Sequence, residues 1–218
     1  MAILEQGLIG TFTGKMGSLV VSKWKNKYVE KAKPKASSKP GSEIQLDYRA
    51  KFTLMGKFLR RFSEHIPIGY QNPQIGTTKM NDAMSYNLLN SISGVYPNYK
   101  VNYANIKLSE PGFKGDIDGV ESFVLTALPL AKLKFTWKNP AIFNSKRTLE
   151  TDLAYVVFYH ADKMITIDPP RPLRSKLELD ISLPKIFLGE VHGWVFFGSA
   201  DRKFVSHTQY LGKVIVIE

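Results

Sequence analysis

The run "LAKLKFTWKNP" (residues 130–140) sets Leu133, Phe135 and Trp137 on one face of an extended chain, with lysines and a threonine between them. A period of two marks a strand with one side in a core, and here that side carries a Trp. Six further β-rich runs surround it: "VNYANIKLS" (101–109), "VESFVLTAL" (120–128), "LAYVVFYHA" (153–161), "KLELDISLP" (176–184), "HGWVFFGSA" (192–200) and "YLGKVIVIE" (210–218). Turn clusters such as "EPGFKGDIDG", "KNPAIFNSK", "DPPRPLRS" and "ADRK" separate them. Roughly seven short strands over about 115 residues predict an antiparallel β-sandwich.

Upstream of residue 101 the period is helical. "SEIQ" (42–45) reads as a capping box, in which Ser42 accepts from the backbone of Gln45 while the Gln side chain reaches back. The helix it opens is expected to run to about Ser63. Ile44, Tyr48, Phe52, Met55, Leu59 and Phe62 form its apolar face, and Arg49, Lys57, Arg60 and Arg61 lie mostly on the rest. "IPIGYQNPQIG" (66–76) reads as a loop. A second helix is expected from Thr77 or Thr78 to Gly94, a good residue just past a helix end, with a core stripe of Met80, Met84, Leu88 and Ile92.

"GSLVVSKWKNKYVEKA" (17–32) predicts a β-hairpin turning near Asn26, in one register with Lys23 opposite Glu30 and Trp24 opposite Val29. "KPKASSKPG" (33–41) follows as an extended connector, since its prolines oppose helix. The predicted fold class is α+β: an N-terminal β-hairpin plus two helices over 1–100, then an antiparallel β-sandwich over 101–218. "LKFTWKNP" and "HGWVFFGSAD" resemble strands of fibronectin type III or immunoglobulin-like modules. The whole chain is similar to an uncharacterised bacterial family of unknown function. The residues that carry the likeness are "TGKMGSLV…WKN", "KPKASSKP" and the closing "SADRKFVSHTQYLGKVIV". Thr13 stands where that family usually has Ser and Asn26 where it usually has Gly, and both keep the turn chemistry. The resemblance implies an architecture and no activity.

The 218 residues are 44% hydrophobic and 12% aromatic, which is a folding composition. No cysteine is present, so disulfides, thiolate zinc sites and cysteine nucleophiles are excluded. No run reaches the roughly 18 apolar residues of a membrane span. The first residues do not read as a signal peptide, so a protein made and kept in the cytoplasm is expected, or one released by lysis or in an assembled particle. The net charge of +11 is uneven: residues 1–65 hold 13 Lys/Arg against 5 Asp/Glu. That imbalance asks for an acidic partner, either nucleic acid or an acidic protein surface.

No catalytic constellation emerges. "GTFTGKM" (10–16) fails as a phosphate loop, because three residues separate Gly10 from Gly14 where four are needed and Met16 replaces the Mg²⁺-binding hydroxyl. Its Gly14–Lys15 reads as a tight turn. His65, His160, His192 and His207 are scattered without metal-ligand spacing. Ser199 and Ser206, near Asp201 and His207, are not on a nucleophile elbow. The expectation is a non-enzyme without cofactor or metal. Tyr96, Tyr99 and Tyr103 read as packing residues, with glycan binding as a weaker alternative. The candidate interaction residues are Lys23, Trp24, Lys25, Lys27, Tyr28, Lys31, Lys33, Lys35, Lys39, Arg60 and Arg61. They would face neighbouring subunits of a homo-oligomer, or follow a phosphate backbone with Trp24 and Tyr28 stacking on bases.

Overall fold

A computed structural model describes residues 2–4, 13–24, 27–35, 39–71, 73, 76–112 and 116–218. The chain forms two compact units, Met1–Ser42 and Glu43–Glu218.

The first unit is a four-stranded antiparallel sheet of β1 (Ala2–Leu4), β2 (Gly14–Met16), β3 (Leu19–Trp24) and β4 (Lys27–Ala32), in the order β1-β4-β3-β2. Gly14 and Lys15, expected in a turn, are strand residues. The turn falls at Gly17–Ser18, where Gly17 takes φ +56°, a left-handed conformation that glycine adopts at little cost. The expected β3–β4 hairpin is present, shifted along its partner by two residues: Lys23 faces Tyr28 and Trp24 faces Lys27. A shift of two preserves the face of every side chain, so the pattern could not distinguish the two registers. Lys25 and Asn26 lie outside the described residues.

The second unit has three layers. β10 (Ile165–Ile167), β9 (Leu153–His160), β12 (Gly189–Gly198) and β13 (Gln209–Val216) form a four-stranded sheet in that order. β11 (Glu178–Ser182), β8 (Lys132–Lys138) and β7 (Ser122–Leu128) form a three-stranded sheet that faces it. α1 (Glu43–Leu59), the single-turn α2 (Ile66–Gly69) and α3 (Lys79–Asn90) cover the other side of the four-stranded sheet.

Two covers explain the composition of β9 and β12. In "LAYVVFYH" every residue after Leu153 is buried, as is every residue of β12 from Val191 on. Ala154, Val156, Phe158, Val195 and Phe197 enter the core between the sheets, beside Leu133, Phe135 and Trp137. Tyr155, Val157, Tyr159, Trp194 and Phe196 enter a second core against Phe58, Leu59, Phe62 and Ile66. A strand covered on both faces reads as a continuous apolar run, whereas β7, β8 and β11, with one wet face, alternate. The helices therefore share this second core with the four-stranded sheet of the sandwich. The boundary between compact units falls at Ser42/Glu43, whereas the sequence placed one near residue 100.

Two expectations for single elements are corrected. "VNYANIKLS" contributes only Val101 to a two-residue strand, β6 (Lys100–Val101), and then a 3-10 turn over Tyr103–Asn105. Its place in the sandwich is taken by the short β10, which had no clear signal in the sequence. Gly94 does not end the second helix. Thr78 caps α3 at its start, accepting from the Asn81 N–H at 3.2 Å, and the helix closes at Asn90. Gly94 then takes φ +94° between β5 (Ile92–Ser93) and β6.

Polar pins hold the intervening segment. Asn87 is fully buried; its amide nitrogen donates to the Ala83 and Lys107 carbonyls at 2.9 Å each. Its oxygen accepts from the Lys107 N–H at 2.9 Å and from Ser91 Oγ at 3.1 Å. Thr208 Oγ1 accepts from the N–H groups of Leu108 and Ser109 at 2.9 and 2.7 Å, fastening this segment to the start of β13. Arg174, also fully buried, donates to the Asp118 and Gly119 carbonyls and sets its guanidinium 3.9 Å over the Phe197 ring. Asp152 Oδ2 lies 3.5 Å from Arg174 Nε as its charge partner.

Candidate functional site

The N-terminal sheet divides the predicted interaction residues between two faces. Residues directly opposite in a ladder share a face. Lys15, Val20 and Lys31 form one row, Ser22 and Val29 the next, and Trp24 and Lys27 the last, all on one face. Met16, Leu19 and Ala32, then Val21 and Glu30, then Lys23 and Tyr28 form rows on the other. Lys23 Nζ sits 5.8 Å from the centroid of its neighbour Tyr28. The sheet is thus amphipathic, with a lysine face and a mainly apolar face.

On the lysine face Lys15, Lys27 and Lys31 are exposed, and Trp24 is 53% exposed. Two strand spacings put Lys15 about 10 Å from Lys31, and four residues put Lys27 about 14 Å along the strand from Lys31. Lysine ammonium groups so spread make separate point contacts and no bidentate clamp. On the apolar face Val21 is buried, Leu19 and Tyr28 are half-buried and Met16 is 46% exposed. Val21 is the single buried residue among those of the sheet whose burial is described.

The remaining predicted residues are not gathered there. Lys33, Lys35 and Lys39 are exposed on the connector, and Lys25 lies outside the described residues. Arg60 and Arg61 belong to the second unit, exposed in the 3-10 turn that ends α1.

Three of the second unit's four histidines are buried. His192 on β12 lies under the Tyr103 ring, centroids 4.0 Å apart, with Nδ1 2.6 Å from Tyr210 Oη and Nε2 3.3 Å from Glu190 Oε1. Burial pushes the His192 imidazole below its ordinary value against the pull of Glu190, and burial lifts the Tyr103 phenol to about 12. Both groups are therefore neutral near pH 7, a polar rim on an aromatic core. His65 Nε2 lies 3.4 Å from Asp168 Oδ1, and Arg171 donates to Asp168 Oδ2 at 2.7 Å. His160 Nε2 is 3.0 Å from the Leu188 carbonyl, and His207 is exposed. Ser199 Oγ donates to Asp201 and accepts from the N–H groups of Lys203 and Phe204, closing a turn. Ser206 Oγ, fully buried, accepts from the Phe197 N–H. Of the three tyrosines, Tyr103 packs in the core, Tyr99 donates to Asp47 of α1, and Tyr96 is exposed.

One surface of the second unit carries apolar residues that the core does not use. The apolar face of α1 enters the core only at Met55, Phe58, Leu59 and the following Phe62. Ile44, Tyr48 and Phe52, on the same apolar face of the helix, stand in solvent. Beside them, between α1 and α3, runs an open groove of about 670 Å³ lined by Phe52, Gly56, Met80, Met84 and Leu88, with Arg60 at one end. The half-buried methionine stripe of α3 is a wall of this groove; the buried side of α3 carries Ala83 and Asn87.

Among the described residues no helix is long and apolar enough to cross a membrane. No curated protein matches the sequence significantly. A family profile does match, over residues 11–212, and so takes in most of the N-terminal sheet and nearly all of the three-layer unit. The chain therefore belongs to the family of unknown function DUF6266.

Proposed function

We propose that this chain is a non-catalytic assembly protein, virion- or filament-subunit-like, that pairs with copies of itself through the apolar face of its N-terminal sheet. The carrying observation is that sheet's amphipathy. The four strands pair in one antiparallel sheet, yet Met16, Leu19, Tyr28 and Ala32 keep solvent contact on one face. A sheet needs one covered face to be stable, and small units bury too little to supply their own. The same face carries one cation and one anion on neighbouring strands, Lys23 and Glu30. A two-fold contact sets each copy's Lys23 against the other's Glu30, a self-complementary pattern. Synthesis in the cytoplasm and release within an assembled particle accord with this role.

The sandwich supports a presenting role. We read it as a fibronectin type III-like or immunoglobulin-like module, because β11-β8-β7 facing β10-β9-β12-β13 follows the order E-B-A facing C′-C-F-G. Its Trp137 sits on the second strand of that scheme and not the third, a departure from the antibody pattern. Sedimentation velocity across a hundredfold range of concentration tests the assembly reading: a species that grows with concentration is expected, and a monomer throughout overturns it.

The opposite face favours a second reading, nucleic-acid contact, on the observation that Lys15, Lys27, Lys31 and Trp24 are exposed together. Binding to mixed-sequence DNA and RNA should then fall steeply with salt. It should be lost on replacing Lys15, Lys27 and Lys31 by Glu and kept on replacing Lys23, which lies on the other face. Equal loss from either set, or no binding at low salt, rejects this reading.

A further inference from the structure

We propose that the groove between α1 and α3 receives an amphipathic helix of another protein, apolar on one side and acidic at its flank. The starting point is an excess of apolar residues that the fold does not use. Ile44, Tyr48 and Phe52 recur every four residues along α1 and are 69%, 62% and 58% exposed. An amphipathic stripe of this kind normally faces a core. Here the core ends at Met55, and the first three turns of the helix carry the stripe out into water.

The groove continues that stripe. From Arg60 it passes Gly56 and Phe52 to Leu88, which also lines a second depression of about 370 Å³ holding Tyr48, Leu89, Val95 and Tyr96. Residues 48 to 60 of a helix span about 18 Å, the length of about three turns of a docked helix. Gly56 keeps the floor low: a Cβ there would touch Met84 Cε at 3.4 Å. The walls are Met80 and Met84, whose flexible thioethers adapt to apolar knobs of different shape. These are the features of helix-in-groove recognition, with apolar anchors of the guest at positions i, i+4 and i+7.

Charge selects the occupant. Arg60 lines one end, Lys51 lines the second depression with its ammonium 2.8 Å from Asp47 Oδ2, and among the described residues no Asp or Glu lines either. A second copy of α1 would bring Arg49, Lys57 and Arg60 against their own kind, since its Asp47 is paired with its Lys51 at 2.8 Å and Glu43 stands at the far end of the helix. The chain's own N-terminal sheet is no better matched, since residues 1–42 hold eight lysines against Glu5 and Glu30. Like charges set face to face oppose both arrangements, whereas Asp or Glu beside the apolar anchors of a guest meets Arg60 favourably.

The test selects helical peptides from a random 16-residue library on the full chain and deselects them on Phe52→Asp. Phe52 and Arg60 are solvent-exposed, so neither substitution threatens the core, and circular dichroism checks that each variant folds. Enriched peptides are expected to repeat apolar residues at helical spacing and to carry an excess of Asp and Glu. A synthetic copy of the best should bind at least about tenfold more weakly to Phe52→Asp and to Arg60→Glu, in line with loss of an anchor or a charge pair. No enrichment overturns the proposal, as it would if the groove were already filled by residues 1–42. Enriched peptides without acidic bias, or indifferent to Arg60→Glu, overturn it as well. Conversion of an oligomer to a monomer by Phe52→Asp would assign the groove to a second copy and equally overturn it.

Discussion

Replacing Phe62 by Ala separates a shared core from two adjoining ones. Phe62 is fully buried just past α1, with its ring edge-on to Trp194 at 5.6 Å and 5.0 Å from Phe58. Trp194 belongs to β12, at the middle of the four-stranded sheet. Truncating a buried Phe removes its transfer free energy and leaves a cavity, together about 3–5 kcal/mol. Trp194 is kept from swinging into the space by a 3.1 Å bond from its Nε1 to the Tyr103 carbonyl. In a unit the size of 43–218 each kcal/mol lowers the melting temperature by about 2–4 °C, so a fall of about 10 °C is expected. Scanning calorimetry should show one transition for this unit, moved as a whole, and near-UV circular dichroism of the aromatic cluster should melt with it. Two transitions, of which only the smaller moves, would refute the shared core and restore a boundary near residue 100.

Further substitutions probe the pins. Gly69→Ala should be among the most damaging changes in the protein, because its Cβ would lie 2.0 Å from the Leu108 carbonyl oxygen and 2.8 Å from Ser109 Cα. Both obstacles are backbone, so a loss of more than about 3 kcal/mol in a urea titration is expected, and a neutral result would contradict the close approach of α2 to this segment. Asn87→Ala strands the half-buried Lys107 N–H and should cost about 1–3 kcal/mol. An acid limb is expected from Asp168. Burial works to raise its carboxyl, but His65 and Arg171 hold it below the ordinary 3.8. A carboxyl lowered on folding contributes stability above its unfolded value and loses it as pH falls through the folded one. Asp168→Asn should therefore lower the urea midpoint at pH 6 and flatten its fall below pH 4, and an unchanged pH profile would contradict the ion-pair geometry.

What could be read in the sequence followed the physics of each segment. β7, β8 and β11 were legible because one wet face imposes alternation, and the turn clusters between strands marked their ends. β9 and β12 were legible as strands, while the helical layer responsible for their unbroken apolar runs was not, since a run does not name its second cover. The extent of α1 was legible from Ser42 and the four-residue spacing. The fate of its stripe was not: Ile44, Tyr48 and Phe52 carry the same local signal as Met55 and Leu59, and only tertiary packing separates them. Gly94 was taken for a helix end because helix ends and hairpin turns both use its positive φ. In the N-terminal region the lysines were visible and their direct partners were not. Lys23 meets Tyr28 and Trp24 meets Lys27 only in the observed register, although a shift of two residues leaves every side chain on its face.

The proposed two-fold contact sets Lys23 of one copy against Glu30 of another, and charge reversal at these two positions tests it. Lys23→Glu alone and Glu30→Lys alone should each shift association, followed by sedimentation velocity, to higher concentration by about tenfold or more, because each brings like charges together. The double variant Lys23→Glu/Glu30→Lys should regain most of the loss. A wild-type chain that stays monomeric, or a double variant as weak as the sum of its singles, would contradict the claim.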